Sequence, residues 1–341
     1  MNASPWNAVG REDLELSTRL VIAEAERRGH TVEVLDAPAN FIRITGNGVV
    51  EYLRQATRTS ADTYVSALLM ENKKVTKLVL REAGIRVPEG RDYGDPASLL
   101  ADWPVWENRD ALVVKPNTTN FGTAVAILKR PFSRADFAAA ADAAFREDAV
   151  VLVEEFIAGK EYRFLVIDGD AVAVLHRVPA NVSGDGVSTI AELVAAKNAD
   201  PRRGEGYVRP LEKLRLGPEE IAYLAARGLS PSSVPAAGRT VFLRENSNIS
   251  TGGDSLDFTD DVHEGYKDLA VAAAAAAGAK ICGVDMMIED VGAEPRGDNY
   301  GIIELNFNPA LHIHDFPYRG ENRGVERFVL DLLGFQKRED L

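Results

Sequence analysis

The sequence predicts an α/β chain built of α+β lobes, with a small N-terminal α/β lobe in front of two larger ones. Three observations carry this. The opening stretch reads helix, strand, hairpin. The middle reads strand, loop, strand, helix, strand. With 341 residues, 45% of them hydrophobic, the chain exceeds what one simple core accommodates.

Residues 13–28 have amphipathic helical spacing, with Leu16, Leu20, Ile22 and Ala23 among the apolar positions and Gly29 suited to the stop. Residues 31–35 (TVEVL) are a strand, and 41–45 and 49–53 form a hairpin across Gly46-Asn47-Gly48. These make the first lobe, residues 1–68. Residues 68–83 carry one helical pattern that includes Lys73, Lys74 and Lys77. Strands follow at 111–115, 125–128 and 150–157, a helix at 134–146, and a polar, mobile loop at 117–122. This is a lid lobe, residues 69–158. In the third lobe, residues 159–341, Asp168-Gly169-Asp170 joins strands 162–167 and 171–178. Residues 201–238 form a peripheral excursion rich in proline, glycine and charge. Residues 241–244, 281–288 and 301–305 are strands of a final sheet, with a helix at 263–279.

The 39 Lys and Arg against 52 Asp and Glu give a net charge of −13, which disfavours nucleic acid and anionic membrane surfaces as partners. An anionic nucleotide needs only a local cluster of cations, to which a bound metal adds. There is no apolar run of signal-peptide length near the N-terminus, and the longest apolar stretch, around 270–277, is too short to span a bilayer. A single cysteine, Cys282, excludes an internal disulfide. The expectation is a cytoplasmic protein acting on small molecules; a homodimer is compatible with it.

Four constellations carry chemistry. The first lies in 281–287 (ICGVDMM) and 301–314 (GIIELNFNPALHIH). Glu304 and Asn306, two apart on a strand, share a face, and Asp285 joins them if the strands are neighbours. Two carboxylates and an amide carbonyl make a hard, oxygen-only donor set of the kind magnesium takes. Carboxylates left unpaired among such apolar flanks cost several kcal/mol unless a cation neutralises them.

The second constellation is Lys73 on a helix and Lys115 at the end of a strand (VVKP), followed by a glycine-bearing loop that holds Thr119, Asn120 and Gly122. This suits a polyphosphate, although the GxxxxGKS/T pattern is absent. The third is 153–163 (VEEFIAGKEYR), where Glu154 and Glu161 flank a turn. They have the spacing to contact a base and a ribose, or to form a charged hairpin rim. The fourth is 243–254 (LRENSNISTGGD). Arg244 and Asn246 are candidates to face a developing negative charge, and Ser250, Thr251, Gly252 and Gly253 to wrap an anion with backbone donors. Arg163, Arg177 and Asn181 are candidates for holding substrate carboxylates. His312 and His314 read as loop residues rather than zinc ligands, His176 as a satisfied polar group, and Cys282 and Met286 as core.

Together these segments resemble the ATP-grasp superfamily, and more closely the C-terminal glutathione synthetase module of bifunctional glutamate–cysteine ligase/glutathione synthetases. The similarity runs from about residue 13 to 334, through DLELSTRLVIAEA, NFIRI, MENKKVTK, VVKPNTTNFG, VLVEEFIAGKEYRFLVIDG, RVPANVSGDG, LRENSNISTGGDS, KICGVDM and GIIELNFNPALHIH. The resemblance implies ATP between two lobes, Lys73 and Lys115 on phosphates, and Glu154 and Glu161 on adenine and ribose. It also implies the Phe156 and Ile157 backbone at the hinge, and residues 117–122 over the phosphates. Asp285, Glu304 and Asn306 would hold magnesium (manganese can substitute), with Arg244 at the transition state. It implies an ADP-forming ligase that works through an acyl phosphate.

Two features depart from the family. As read, the sequence begins almost at the synthetase module, which sets the expectation of a ligase without the fused half, and Asn117 stands where the bifunctional proteins are expected to carry a basic residue. Sequence alone therefore leans to a ligase joining the γ-carboxylate of glutamate to an amino acid. The alternative is glutathione synthetase, adding glycine to γ-glutamylcysteine. An ATP-grasp kinase or a non-catalytic nucleotide-binding module stands further off.

Overall fold

Where apolar residues recur every second or every third to fourth position, the chain forms the expected strands and helices. The structure, a computed structural model, describes residues 6, 11–119 and 122–336. Helix α1 (Leu16–Arg27) lays Val21, Ile22 and Ala25 against the antiparallel sheet β1 (Thr31–Asp36), β2 (Phe41–Gly46) and β3 (Val49–Arg54). Ile42 and Ile44 point into this core, and the β2–β3 turn places Asn47 and Gly48 at positive φ. A three-stranded sheet cannot bury enough by itself. Leu165, Ile167, Ala173 and Ile281 of the large sheet complete its core.

The single helix expected at 68–83 is two: α2 (Tyr64–Glu71) and α3 (Lys73–Glu82). Asn72 leaves the helical region (φ −96°, ψ 96°) and caps α3, with its Oδ1 accepting from Val75 N at 3.1 Å and from Asn117 Nδ2 at 3.0 Å. Asn117 Oδ1 in turn accepts from Lys74 N at 2.9 Å. A side-chain amide that satisfies free backbone donors outcompetes helix continuation here. Met70 and Leu80 enter the same core as the large sheet. Both helices, which the sequence divides between first lobe and lid, thus pack with the third lobe.

The lid is β4 (Gly90–Tyr93), α4 (Pro96–Ala101), α5 (Trp103–Trp106), β5 (Ala111–Pro116), β6 (Ala126–Lys129), α6 (Arg134–Glu147) and β7 (Val151–Glu155). Its antiparallel sheet has the order β4-β7-β5-β6. α6, started by a Ser133/Asp136 capping box, packs Phe137, Ala140, Ala141 and Ala144 into the lid core.

The third lobe runs β8 (Lys160–Ile167), β9 (Asp170–Val178), β10 (Asn181–Ser183), α7 (Ile190–Asn198), β11 (Arg203–Gly204), β12 (Leu211–Glu212), α8 (Pro218–Ala225) and β13 (Thr240–Phe242). It continues with β14 (Asp254–Asp257), α9 (Glu264–Ala276), β15 (Ile281–Ile288), β16 (Tyr300–Asn306), α10 (His312–Asp315) and α11 (Glu326–Leu332). The large sheet has the antiparallel order β14-β9-β8-β15-β16. One expectation is corrected here. The strand at 241–244 is β13, which pairs with β10 in a separate ribbon, while the fifth strand of the large sheet is β14, which starts at Asp254 where the fourth constellation ends and where no strand is expected. The apolar signal of Val241 and Leu243 is real, but it serves the core of the excursion with Val182, Ile190 and Leu224.

Replacing Asn72 with Ala removes the α3 cap and leaves Asn117 Nδ2 without its partner. The expected loss is about 1–2 kcal/mol in urea denaturation, and a change below about 0.3 kcal/mol would show the cap to be idle.

Candidate active site

β15 lies between β8 and β16, and its register sets Asp285 opposite Arg163 on one side and Glu304 on the other. Asn306 Nδ2 donates to Asp285 Oδ2 at 3.2 Å. The three expected metal residues therefore meet. The premise that Asp285 is unpaired is corrected. Arg163 grips it bidentately, with Nη2 on Oδ2 at 2.7 Å, and Arg177 stands 3.4 Å away. Gly283 makes room for this, since a Cβ there would meet Arg163 Nη1 at 3.0 Å and Pro309 Cβ at 3.3 Å. Burial pushes the Asp285 carboxyl up, but Arg163 and Arg177 outweigh it and hold the group below the ordinary carboxylate value.

Glu304 Oε1 meets Lys73 Nζ at 3.1 Å. Among the described residues, Glu304 Oε2 and Asn306 Oδ1 have no hydrogen-bond partner. Two open, hard oxygens suit a magnesium-type ion, which draws one or two ligands from protein and the rest from phosphate and water. Asp285 Oδ2 is already held by Arg163 and Asn306, with Arg177 close by, so Asp285 stands behind the two open oxygens. No group of three His, Cys, Asp or Glu able to hold a metal occurs among the described residues.

The arginines expected on substrate carboxylates are committed inside the protein. Arg163 is on Asp285; Arg177 is on Glu161 and Asp285. Asn181 donates to Pro179 O at 2.8 Å and to Asp254 at 3.1 Å. Buried acids of the sheet claim these groups first, because an uncompensated interior charge is costly.

Lys73 also donates to Thr119 O at 2.6 Å, tying α3 to the loop. Lys115 lies 2.9 Å from Glu154 Oε2, and Lys77 holds Glu154 Oε1. Glu154, expected at adenine, thus has both oxygens engaged. Burial raises its pKa, but Lys115 and Lys77 outweigh that and keep it ionised. Lys77 was not singled out from sequence; the available signal was its position one turn beyond Lys73 on the same helix face. Burial and the neighbouring Lys115 push its ammonium down to about 7 against the pull of Glu154. Glu161 gives one oxygen to Arg177 and the other to Ser247. The crossing between lobes bends at Gly159 (φ 122°), whose missing Cβ leaves space for the Ile288 backbone. Phe156 there takes Lys129 on its ring at 5.0 Å, and Ile157 is buried beside Gly301.

Asn120 lies outside the described residues. Gly122 (φ 74°) sits against the fourth constellation, with Asn246 Nδ2 3.3 Å from where a Cβ would be. The expected backbone cradle is corrected. Thr251 N and Gly253 N donate to Asn248 O, and Gly252 N donates to Ile249 O. Ser250 lies beside Tyr207, and Thr251 Oγ1 donates to Asn248 O at 2.9 Å. Arg244 pairs with Glu219 at 2.7 Å and with Glu220, both on α8. His312 and His314 lie on α10; burial pushes them to about 4 and about 3, so both are neutral. His312 Nδ1 meets Ser17 Oγ at 2.8 Å, and His176 Nδ1 meets Glu161 O at 3.0 Å. Cys282 is buried, with its thiol pushed up to about 12.

A four-stranded and a five-stranded antiparallel sheet, with Lys115 on the first and Lys73 beside the second meeting Glu154 and Glu304, make up an ATP-grasp fold. A family model described as an ATP-grasp-like domain matches residues 12–65. Within that class the chain is similar to bifunctional glutathione biosynthesis proteins. It is 53% identical to that of Clostridium perfringens over 96% of this chain and 42% of that protein. It is 50% identical to that of Desulfotalea psychrophila over 97% of this chain and 42% of that protein. The crystal structure of a bifunctional glutathione synthetase from Pasteurella multocida superposes with a TM-score of 0.73 at 43% identity, over 95% of this chain and 44% of that one. The chain thus spans about two-fifths of the length of the curated relatives it matches. No helix among the described residues is long and apolar enough to cross a membrane.

Arg163→Met leaves the buried Asp285 short of a cation and should cost roughly 3–5 kcal/mol at pH 7. Because the folded pKa of Asp285 is depressed, the contribution is complete above its unfolded value near 4 and fades as pH falls through the folded value. Urea denaturation at pH 7 and pH 3 should therefore show the deficit shrinking in acid; an equal deficit at both would remove the ion pair as its cause.

Proposed function

We propose that the chain is an ADP-forming carboxylate–amine ligase of the glutathione synthetase type, joining γ-glutamylcysteine to glycine. The similarity to glutathione biosynthesis proteins over nearly the whole chain supports this most directly. Free glutamate, first on sequence alone, gives way to the alternative that these relatives favour.

In this reading ATP lies between the lobes. Lys73 and Lys115 approach its phosphates, with residues 117–119 and Gly122 beside them. The backbone at Phe156 and Ile157 takes the adenine, and Glu161 the ribose. Magnesium or manganese, held by Glu304 and Asn306 with Asp285 behind them, would neutralise phosphate charge during transfer. A carboxylate oxygen of the substrate attacks the γ-phosphorus, and ADP leaves. The amine nitrogen then attacks the acyl carbon, inorganic phosphate leaves, and the nitrogen loses a proton. Lid closure keeps water from the acyl phosphate. Arg244 and Asn246 lie on the segment that faces Gly122; Arg244 reaches a developing oxyanion by exchanging Glu219 for it.

The test is incubation with ATP, magnesium and γ-glutamylcysteine, or glutamate, against a panel of amino acids, reading phosphate release and product mass together. The expected result is phosphate equal to tripeptide, with glycine required; phosphate released without any amine would sink the ligase assignment. Glu304→Gln should lower kcat on the order of a hundredfold or more while the melting curve is kept. Near-normal turnover would take Glu304 out of the metal set.

A further inference from the structure

Lys77 belongs to the body of the large lobe: α3 packs on β16 and shares its core through Leu80. Its ammonium nevertheless crosses the cleft to Glu154 on β7 of the lid. Lys115, on the neighbouring strand β5, takes the other oxygen of the same carboxylate at 2.9 Å. The side chains of Lys77, Glu154 and Lys115 are 5%, 4% and 9% exposed, so the trio is dry. Glu154 is also confined from behind: a Cβ on Gly90, its partner on β4, would lie 2.8 Å from Glu154 Cγ.

The charges do not balance. Lys73 is matched by Glu304, which leaves Lys77 and Lys115 for the single carboxylate of Glu154, so the trio carries one positive charge in excess whenever Lys77 is protonated. α9, packed on the Leu80 side of α3, brings alanines (Ala273, Ala274 and Ala277) to that core. Asp285 is already held by Arg163. A surplus positive charge in a dry site costs stability until an anion arrives to match it.

We propose that Lys77 is a positioning residue of the phosphate site: it pins Glu154 from across the cleft, Glu154 fixes Lys115 at its strand end, and a nucleotide phosphate matches the surplus charge of the trio. This rests on the nucleotide assignment made under the proposed function. The geometry separates two quantities that a purely structural lysine would move together. Lys77→Met keeps the side-chain length, removes the surplus charge and leaves Glu154 and Lys115 as a one-to-one pair.

The test uses the full chain with MgATP alone, by calorimetry, beside thermal melting without nucleotide. Lys77→Met should melt at or above the wild-type temperature yet bind MgATP about tenfold more weakly. In the full reaction it should raise the KM for ATP and leave those for γ-glutamylcysteine and glycine in place. Lys77→Arg should restore most of the affinity, and Lys77→Met should add little on a Glu154→Gln background. A folded Lys77→Met protein with wild-type MgATP affinity overturns the proposal. So does a joint fall in melting temperature and affinity that Lys77→Arg does not relieve. Wild-type protein that binds no adenine nucleotide removes the functional assignment and the proposal together; wild-type binding with an unaltered variant removes the proposal alone.

Discussion

Asp285 sits on an interior strand of the five-stranded sheet, wholly enclosed, and a carboxylate in that place needs a cation within ion-pair reach. Arg163 supplies it from the adjacent strand, and the consequences spread outward. Residue 283 must be glycine-sized for the guanidinium to pass. Arg177 shares the load and is itself steadied by Glu161, which Ser247 holds in turn. On the other side, Asn306 bonds Asp285, and Glu304 bonds Lys73. One compensated charge thus fixes a row of side chains across the sheet, from the 243–254 segment to the start of α3.

The lid is connected to the large lobe in a similar way. Contacts across the cleft include Lys77 to Glu154 and Lys73 to the Thr119 carbonyl, while the apolar cores of the two lobes remain separate. Charged contacts in a cleft change strength sharply with solvent access. Each lobe is thus held by its own apolar core, and charged groups make the contacts between them named above.

Much of this was legible in the residues. Local periodicity and turn chemistry set α1, α6, the β2–β3 turn and the β8–β9 hairpin, because each is decided within a dozen residues. That Glu304 and Asn306 share a face follows from the two-residue period of strands; that Asp285 joins them needed β15 and β16 to be neighbours, which they are. What stayed hidden depends on pairing between distant segments. β13 left the large sheet and β14 took a place in it because a strand signal does not name its partner. The helix break at Asn72 depends on an amide at residue 117. Arg163, Arg177 and Asn181 looked free because their partners, Asp285, Glu161 and Asp254, arrive from other strands.

The Asn72–Asn117 amide pair has an evolutionary consequence. The two residues are 45 apart, and each amide meets hydrogen-bonding needs of the other's segment. Neither can drift alone without orphaning a donor or an acceptor between α3 and the end of β5. Among chains descended from a common ancestor, these two positions should change as a pair. Such covariation would mark the point where the start of α3 and the end of β5 were inherited as one trait.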